Sequence, residues 1–153
     1  MMKNFQFRSV VLTVLVSVLV ASCGALLPVN DKSHLVTFTT QMRGGNEVPP
    51  VATSASGQVD AMLNTKTNVL RWRLSYTNLS GPAKAGHFHG PAAIGTNAGV
   101  ALPFPGLVGS PMEGSATLTA AQTADLLAGR WYANIHTAAH PGGEIRGQMT
   151  LRR

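Results

Sequence analysis

Apolar and polar positions alternate along most of this chain, and Gly, Pro and Asn interrupt the alternation at short intervals. Val36, Phe38 and Thr40 alternate with polar neighbours, and Gly57, Val59, Ala61 and Leu63 do the same before Asn64. The clearest run sets Leu70, Trp72, Leu74 and Tyr76 against Arg71, Arg73, Ser75 and Thr77. A period of two turns one set of side chains to a core and the other to solvent, so these runs predict β-strands. Further strands are predicted near 84–89, 98–103, 113–118, 130–137 and 144–151. One segment leaves this period. Thr119-Ala120-Ala121-Gln122 has the spacing of a capping box, Ala124, Leu126 and Leu127 supply an apolar side, and Gly129 supplies a stop. It predicts a short helix over 120–128 that crosses between strands. Short strands punctuated by 16 glycines and 9 prolines predict an all-β, Greek-key-like sandwich or barrel.

The N-terminus follows a different pattern. Lys3 and Arg8 precede a run from Val10 to Val20 that is apolar apart from Thr13 and Ser17, the layout of a secretory signal. The run is shorter than the roughly 20 apolar residues a membrane-spanning helix needs. Val20-Ala21-Ser22-Cys23 resembles the bacterial lipobox, which implies cleavage after Ser22 and a diacylglyceryl group on the Cys23 thiol. Cys23 is the only cysteine, so it has no disulfide partner within the chain. Each buried acyl methylene contributes about 0.8 kcal/mol, so two or three palmitate-type chains hold a protein firmly on a membrane. Gly24 stands where an Asp would resemble the inner-membrane retention signal of Gram-negative lipoproteins. The expectation is an exported, membrane-anchored lipoprotein facing the periplasm or cell surface, on the outer membrane if the cell is Gram-negative.

The predicted organisation is a signal peptide at 1–22, a lipidated N-terminus and spacer at 23–33, and one domain at 34–153. Removing residues 1–22 from the 153 takes away Lys3 and Arg8 and lowers the formal charge from +6 by two. The remaining basic residues are scattered and few aromatics lie among them, so no nucleic-acid surface is expected. Only six acidic residues occur, and no paired-carboxylate, Ser-His-Asp or Cys-His arrangement stands out, which gives hydrolytic chemistry little footing.

Histidine is the residue type that could carry chemistry. His87-Phe88-His89 and His136-Thr137-Ala138-Ala139-His140 form two tight groups. On a strand, His87 and His89 share one face, with Gly86 and Phe88 on the other. Neutral imidazoles spaced in this way suit one metal ion, and a site of His87, His89, His136 and His140 without thiolates favours copper or zinc. Pro141-Gly142-Gly143 places His140 in a turn, so all four converge only if that turn folds back. The alternative is a set of histidines bonded to backbone groups, networked with Glu144 and Arg146.

Three segments carry a family resemblance: Gly44-Gly45-Asn46-Glu47-Val48-Pro49-Pro50, Ala85-Gly86-His87-Phe88-His89-Gly90-Pro91, and Asn134-Ile135-His136-Thr137 with His140-Pro141-Gly142-Gly143-Glu144-Ile145-Arg146-Gly147-Gln148. Together, over about residues 35–151, they resemble the CHRD domain first recognised in chordin. The resemblance implies an extracytoplasmic β-sandwich, and in animals such domains bind or regulate secreted growth factors. The His-x-His pair is also similar to that of copper–zinc superoxide dismutase, whose architecture is another β-sandwich. The chain departs from that enzyme in having no intradomain disulfide and no recognisable aspartate-bearing zinc loop, and Arg146 would have to serve as its guiding cation.

Glu47, Glu144 and Arg146 are expected to hold the fold, with Arg146 paired to one of the two carboxylates. The 46–50 segment is expected at a sheet edge, because proline cannot continue a central ladder. Gly142 and Gly143 are expected to adopt backbone angles that other residues resist. Trp72 and Trp131 are expected in the core. The reading that follows is an envelope-anchored, non-enzymatic binding module, with an envelope protein or polysaccharide as ligand and its binding surface on loops 91–97 and 103–111. The second reading is a copper- or zinc-binding histidine protein with redox chemistry.

Overall fold

The computed structural model describes residues 32–106 and 109–152. The signal peptide and Cys23 lie outside the described residues. No helix among those described is long and apolar enough to cross a membrane.

Nine strands run β1 (Leu35–Arg43), β2 (Ser56–Asn64), β3 (Val69–Thr77), β4 (Ala83–His89), β5 (Val100–Pro103), β6 (Met112–Thr117), β7 (Tyr132–Thr137), β8 (Ile145–Gln148) and β9 (Thr150–Leu151). All pair antiparallel in one sheet, ordered β5-β4-β7-β8-β1-β2-β3-β6, with β9 beside β1. β1, β2 and β3 form a meander of nine-residue strands in unbroken register. The links from β3 to β4, β5 to β6 and β6 to β7 each pass between distant places in that order. The sheet is strongly curled into a half-barrel. Curling brings Trp72 of β3 to 5.5 Å from Phe88 of β4, edge to face, although the two strands lie far apart in the order. Phe104 and Trp131 close around the same ring, and aromatic pairs in such geometry add to the area they bury.

Alternation explains which side faces in. Val59, Ala61 and Leu63 of β2 and Leu70, Trp72 and Leu74 of β3 are buried, as their pattern predicts, and Trp131 is fully buried. The helix α1 (Ala120–Leu127) begins with the expected capping box: Gln122 N donates to Thr119 Oγ1 at 3.1 Å and Thr119 N to Gln122 Oε1 at 2.9 Å. Leu126 is buried as predicted, but Thr123 shares its face, while Ala124 and Leu127 are exposed. Three-residue spacing sets that face, and Thr123 is accepted there because its hydroxyl donates to Asn68 Oδ1.

Two other expectations change. The strand predicted over 144–151 is two strands split at Met149: β8 lies between β7 and β1, and β9 pairs with β1. Met149 N bonds back to Trp131 O while its side chain is buried, so beyond this core residue the strand keeps β1 as partner and leaves β7. The 46–50 segment is not a sheet edge. It leaves a 3-10 turn at Gly44–Asn46 as a loop laid over β8, held there by Asn46 Nδ2 donating to Arg146 O.

Candidate metal centre

β4 and β7 run side by side, with Ala85 opposite His136, His87 opposite Asn134 and His89 opposite Tyr132. On β4 the inward positions are Gly86 and Phe88. A Cβ on Gly86 would press into Phe104 and Ile135, so the strand lies tight on the core there. His87 and His89 therefore take the outer face, as the sequence predicts, and the pairing with β7 brings His136 beside them. One ring nitrogen from each of His87, His89 and His136 lies within 4.8 Å of the other two.

The hydrogen bonds fix which nitrogens are available. His136 Nδ1 lies 2.9 Å from the Pro141 carbonyl and must donate to it, which leaves a lone pair on Nε2. That lone pair faces His87 Nδ1 at 3.1 Å. His89 Nδ1 donates to the Ala98 carbonyl at 2.9 Å, and its Nε2 faces Asn134 Oδ1 at 3.0 Å. The amide nitrogen can serve that Nε2 when the ring is neutral, and the amide oxygen can serve it when the ring is charged. His87 is held below the usual imidazole range by burial and by the facing His136 and His89. Burial also lowers His136, against the Pro141 bond, with His89 adding to the fall. His87 and His136 are thus both biased toward the neutral imidazole, the form that binds metal.

His140 does not join this group. It closes the turn after β7 with its backbone, its carbonyl accepting from Thr137 N and Gly143 N. Gly143 there has φ +131, whereas Gly142 needs no positive φ, so only one of the two glycines meets the expectation.

Around the histidines the outer face of β7 and β8 is buried although it is polar. Arg146, 2 % exposed, lies flat over the Tyr132 ring at 3.4 Å from its centre, and Tyr132 stacks in parallel on His89 with ring centres 4.8 Å apart. The expected pairing of Arg146 with Glu47 or Glu144 is not formed. Its guanidinium donates instead to Asn97 Oδ1 at 2.8 Å and to Thr96 O at 2.6 Å. Stacking uses one face of the planar cation and the in-plane N–H groups remain for the loop, a combination lysine could not supply. Loop 91–99 is thereby drawn over His89.

Glu144 is fully buried and lies within a ring of donors. Thr53 Oγ1 and Ser80 N reach Oε1, and Ser80 Oγ and Thr137 Oγ1 reach Oε2. Burial works against its ionisation, but these bonds outweigh burial and hold the carboxyl below its usual range. Glu47 is the opposite case. Burial pushes it up to about 7 against the pull of Arg146 and the Val48 backbone bond, and its Oε1 is buried without a partner.

A model of the CHRD domain family matches residues 38–149. No curated protein and no solved structure matches the chain. The three segments that carried the resemblance lie far apart in the sequence, yet Asn46 bonds Arg146 and His87 bonds His136 within one polar layer over β4, β7 and β8. With that layer inside the matched span, the chain belongs to the CHRD domain family.

Proposed function

We propose that this CHRD domain is a binding module of the cell envelope whose ligand is a divalent transition-metal ion, copper or zinc, held by His87, His89 and His136. The observation that carries the reading is the convergence of three imidazoles from two paired strands. Two nitrogens bound to one tetrahedral metal at 2.0–2.1 Å stand about 3.3 Å apart. His87 Nδ1 and His136 Nε2 already stand 3.1 Å apart. The remaining gaps, none above 4.8 Å, close by rotation of the half-buried His87 and His136 toward the packed His89. The Pro141 carbonyl then acts as the outer partner that orients His136 and raises its basicity, as carbonyls do for histidine ligands generally. An all-imidazole donor set without thiolate suits Cu(II) and Zn(II).

Anchoring through a lipid on Cys23 belongs to the same proposal and is supported by the lipobox-like Val20–Cys23 sequence. It places the site outside the cytoplasm. Mass spectrometry of the full chain is expected to find acyl chains on an N-terminal Cys23, and Cys23→Ser is expected to release the protein from membranes. A Cys23→Ser protein that stays on the membrane would contradict the anchor.

For the metal, the full chain in detergent is titrated with Zn(II) and Cu(II) by calorimetry. One ion per chain is expected, with His136→Ala and His87→Ala losing at least about tenfold in affinity, as removal of one ligand generally does. His140→Ala is expected to bind like the parent. Equal uptake by the parent and His136→Ala would remove the proposal.

A further inference from the structure

The three histidines of the metal centre surround a fourth side chain. Asn134 lies on β7 directly opposite His87 of β4, and His136 follows two residues later on the same face. Asn134 is 2 % exposed, and its Oδ1 stands 3.0 Å from His89 Nε2. We infer that Asn134 Oδ1 is the fourth ligand of the ion held by His87, His89 and His136, so that the site encloses its metal and leaves no position open to a substrate. The inference rests on the metal reading above and specifies what kind of metal site it is.

The positions of the protons carry the choice. His89 Nδ1 donates to the Ala98 carbonyl, so the lone pair of the neutral ring is on Nε2. That lone pair meets another on Asn134 Oδ1, and two acceptors 3.0 Å apart repel unless a cation lies between them. A proton on His89 is one such cation, and a metal ion is another. Turning the amide over would present Nδ2 instead, but packing opposes it. A Cβ on Gly143, a residue with φ +131, would press on both Asn134 Nδ2 and Glu47 Oε1. The donor end of the amide and a carboxyl oxygen thus share the space that this glycine leaves, and a flip would put two oxygens there. Distances agree with ligation. Two ligand atoms bound at 2.0–2.2 Å to one tetrahedral ion stand about 3.3–3.5 Å apart. Two pairs are already close to this: Asn134 Oδ1 with His89 Nε2 at 3.0 Å, and His87 Nδ1 with His136 Nε2 at 3.1 Å. An amide oxygen is a neutral, hard donor, and beside three imidazoles it suits a divalent ion such as Zn(II) or Co(II). Four protein ligands make the closed arrangement of sites that hold a metal, whereas catalytic sites keep one position open.

The full chain in detergent is loaded with Co(II), whose visible absorption is intense when it is four-coordinate. It is then titrated with azide, a small anion that fills an open position. The parent is expected to bind one Co(II), with intense bands that azide leaves unchanged. Asn134→Ala is expected to lose about tenfold or more in Co(II) affinity, the scale seen when a group supporting a metal is removed, and to show a spectrum that azide shifts. Asn134→Asp keeps an oxygen in the same place and is expected to bind tightly and stay inert to azide, a rescue that a merely structural amide would not give. A parent spectrum shifted by azide, with His136→Ala still weakening uptake, would overturn the fourth ligand and leave the three-histidine reading standing. So would Asn134→Ala cobalt as inert to azide as that of the parent, or Asn134→Asp cobalt that azide shifts. A parent that takes up no Co(II) would overturn both.

Discussion

Two glutamates, each nearly or fully buried, titrate in opposite directions because one has donors and the other does not. Glu144 accepts four hydrogen bonds, so its folded value lies below the unfolded carboxylate range. A depressed value means that its stabilisation is present above the unfolded value and is lost as pH falls through the folded one. Glu47 is raised to about 7. Its sign is reversed: the neutral acid suits the site, so stability falls as pH rises from the unfolded range through about 7. Urea denaturation followed across pH is expected to show a gain in stability for Glu47→Gln above neutrality and little change in acid. Glu144→Ala is expected to cost about 3 kcal/mol near neutral pH, since it strands several buried donors, and to flatten the acid limb. A Glu47→Gln protein weaker than its parent at pH 8 would refute this assignment. The sequence marked both residues but paired them with Arg146, because opposite charges within one motif suggest a salt bridge. The hydroxyls that serve Glu144 come from Thr53, Ser80 and Thr137, and nothing in local spacing joins them to it.

At the scale of elements, what was legible followed from periodicity and what was missed followed from pairing. Period two gave the faces of β2 and β3 and put His87 and His89 on one side, and the capping box gave α1. Which strand lies beside β4 has no local signature, so the approach of His136 from β7 and the departure of His140 into a turn could not be read from spacing. Pairing also explains Gly114 on β6. It lies opposite Trp72 on β3, and a Cβ there would overlap the indole ring. Trp72 is buried against Phe88 and Phe104 and has little room to retreat. Gly114→Ala is therefore expected to destabilise by about 1–3 kcal/mol through overpacking, despite alanine's better fit to an extended backbone. Equilibrium unfolding checks it, and a neutral or stabilising effect would show that the ring moves freely.

Across the whole molecule the curled sheet keeps its apolar contacts inside and a polar layer outside, over β4, β7 and β8. The core of Trp72, Phe88, Phe104 and Trp131 ties together strands that are distant in the sheet order. The overlying layer joins three sequence motifs through Arg146, Tyr132 and His89. With one cysteine in the chain, stability rests on this packing and on the polar layer, without an internal disulfide. The histidines stand at the margin of the layer, packed enough to be oriented and open enough for His87 and His136 to meet an ion. Electron paramagnetic resonance of the full chain loaded with one equivalent of Cu(II) tests this most directly. The account predicts one bound copper per chain with nitrogen hyperfine structure from three imidazoles, reduced in His87→Ala and unaltered in His140→Ala. A spectrum of hydrated copper, or nitrogen coupling indifferent to His87 and His136, would contradict it.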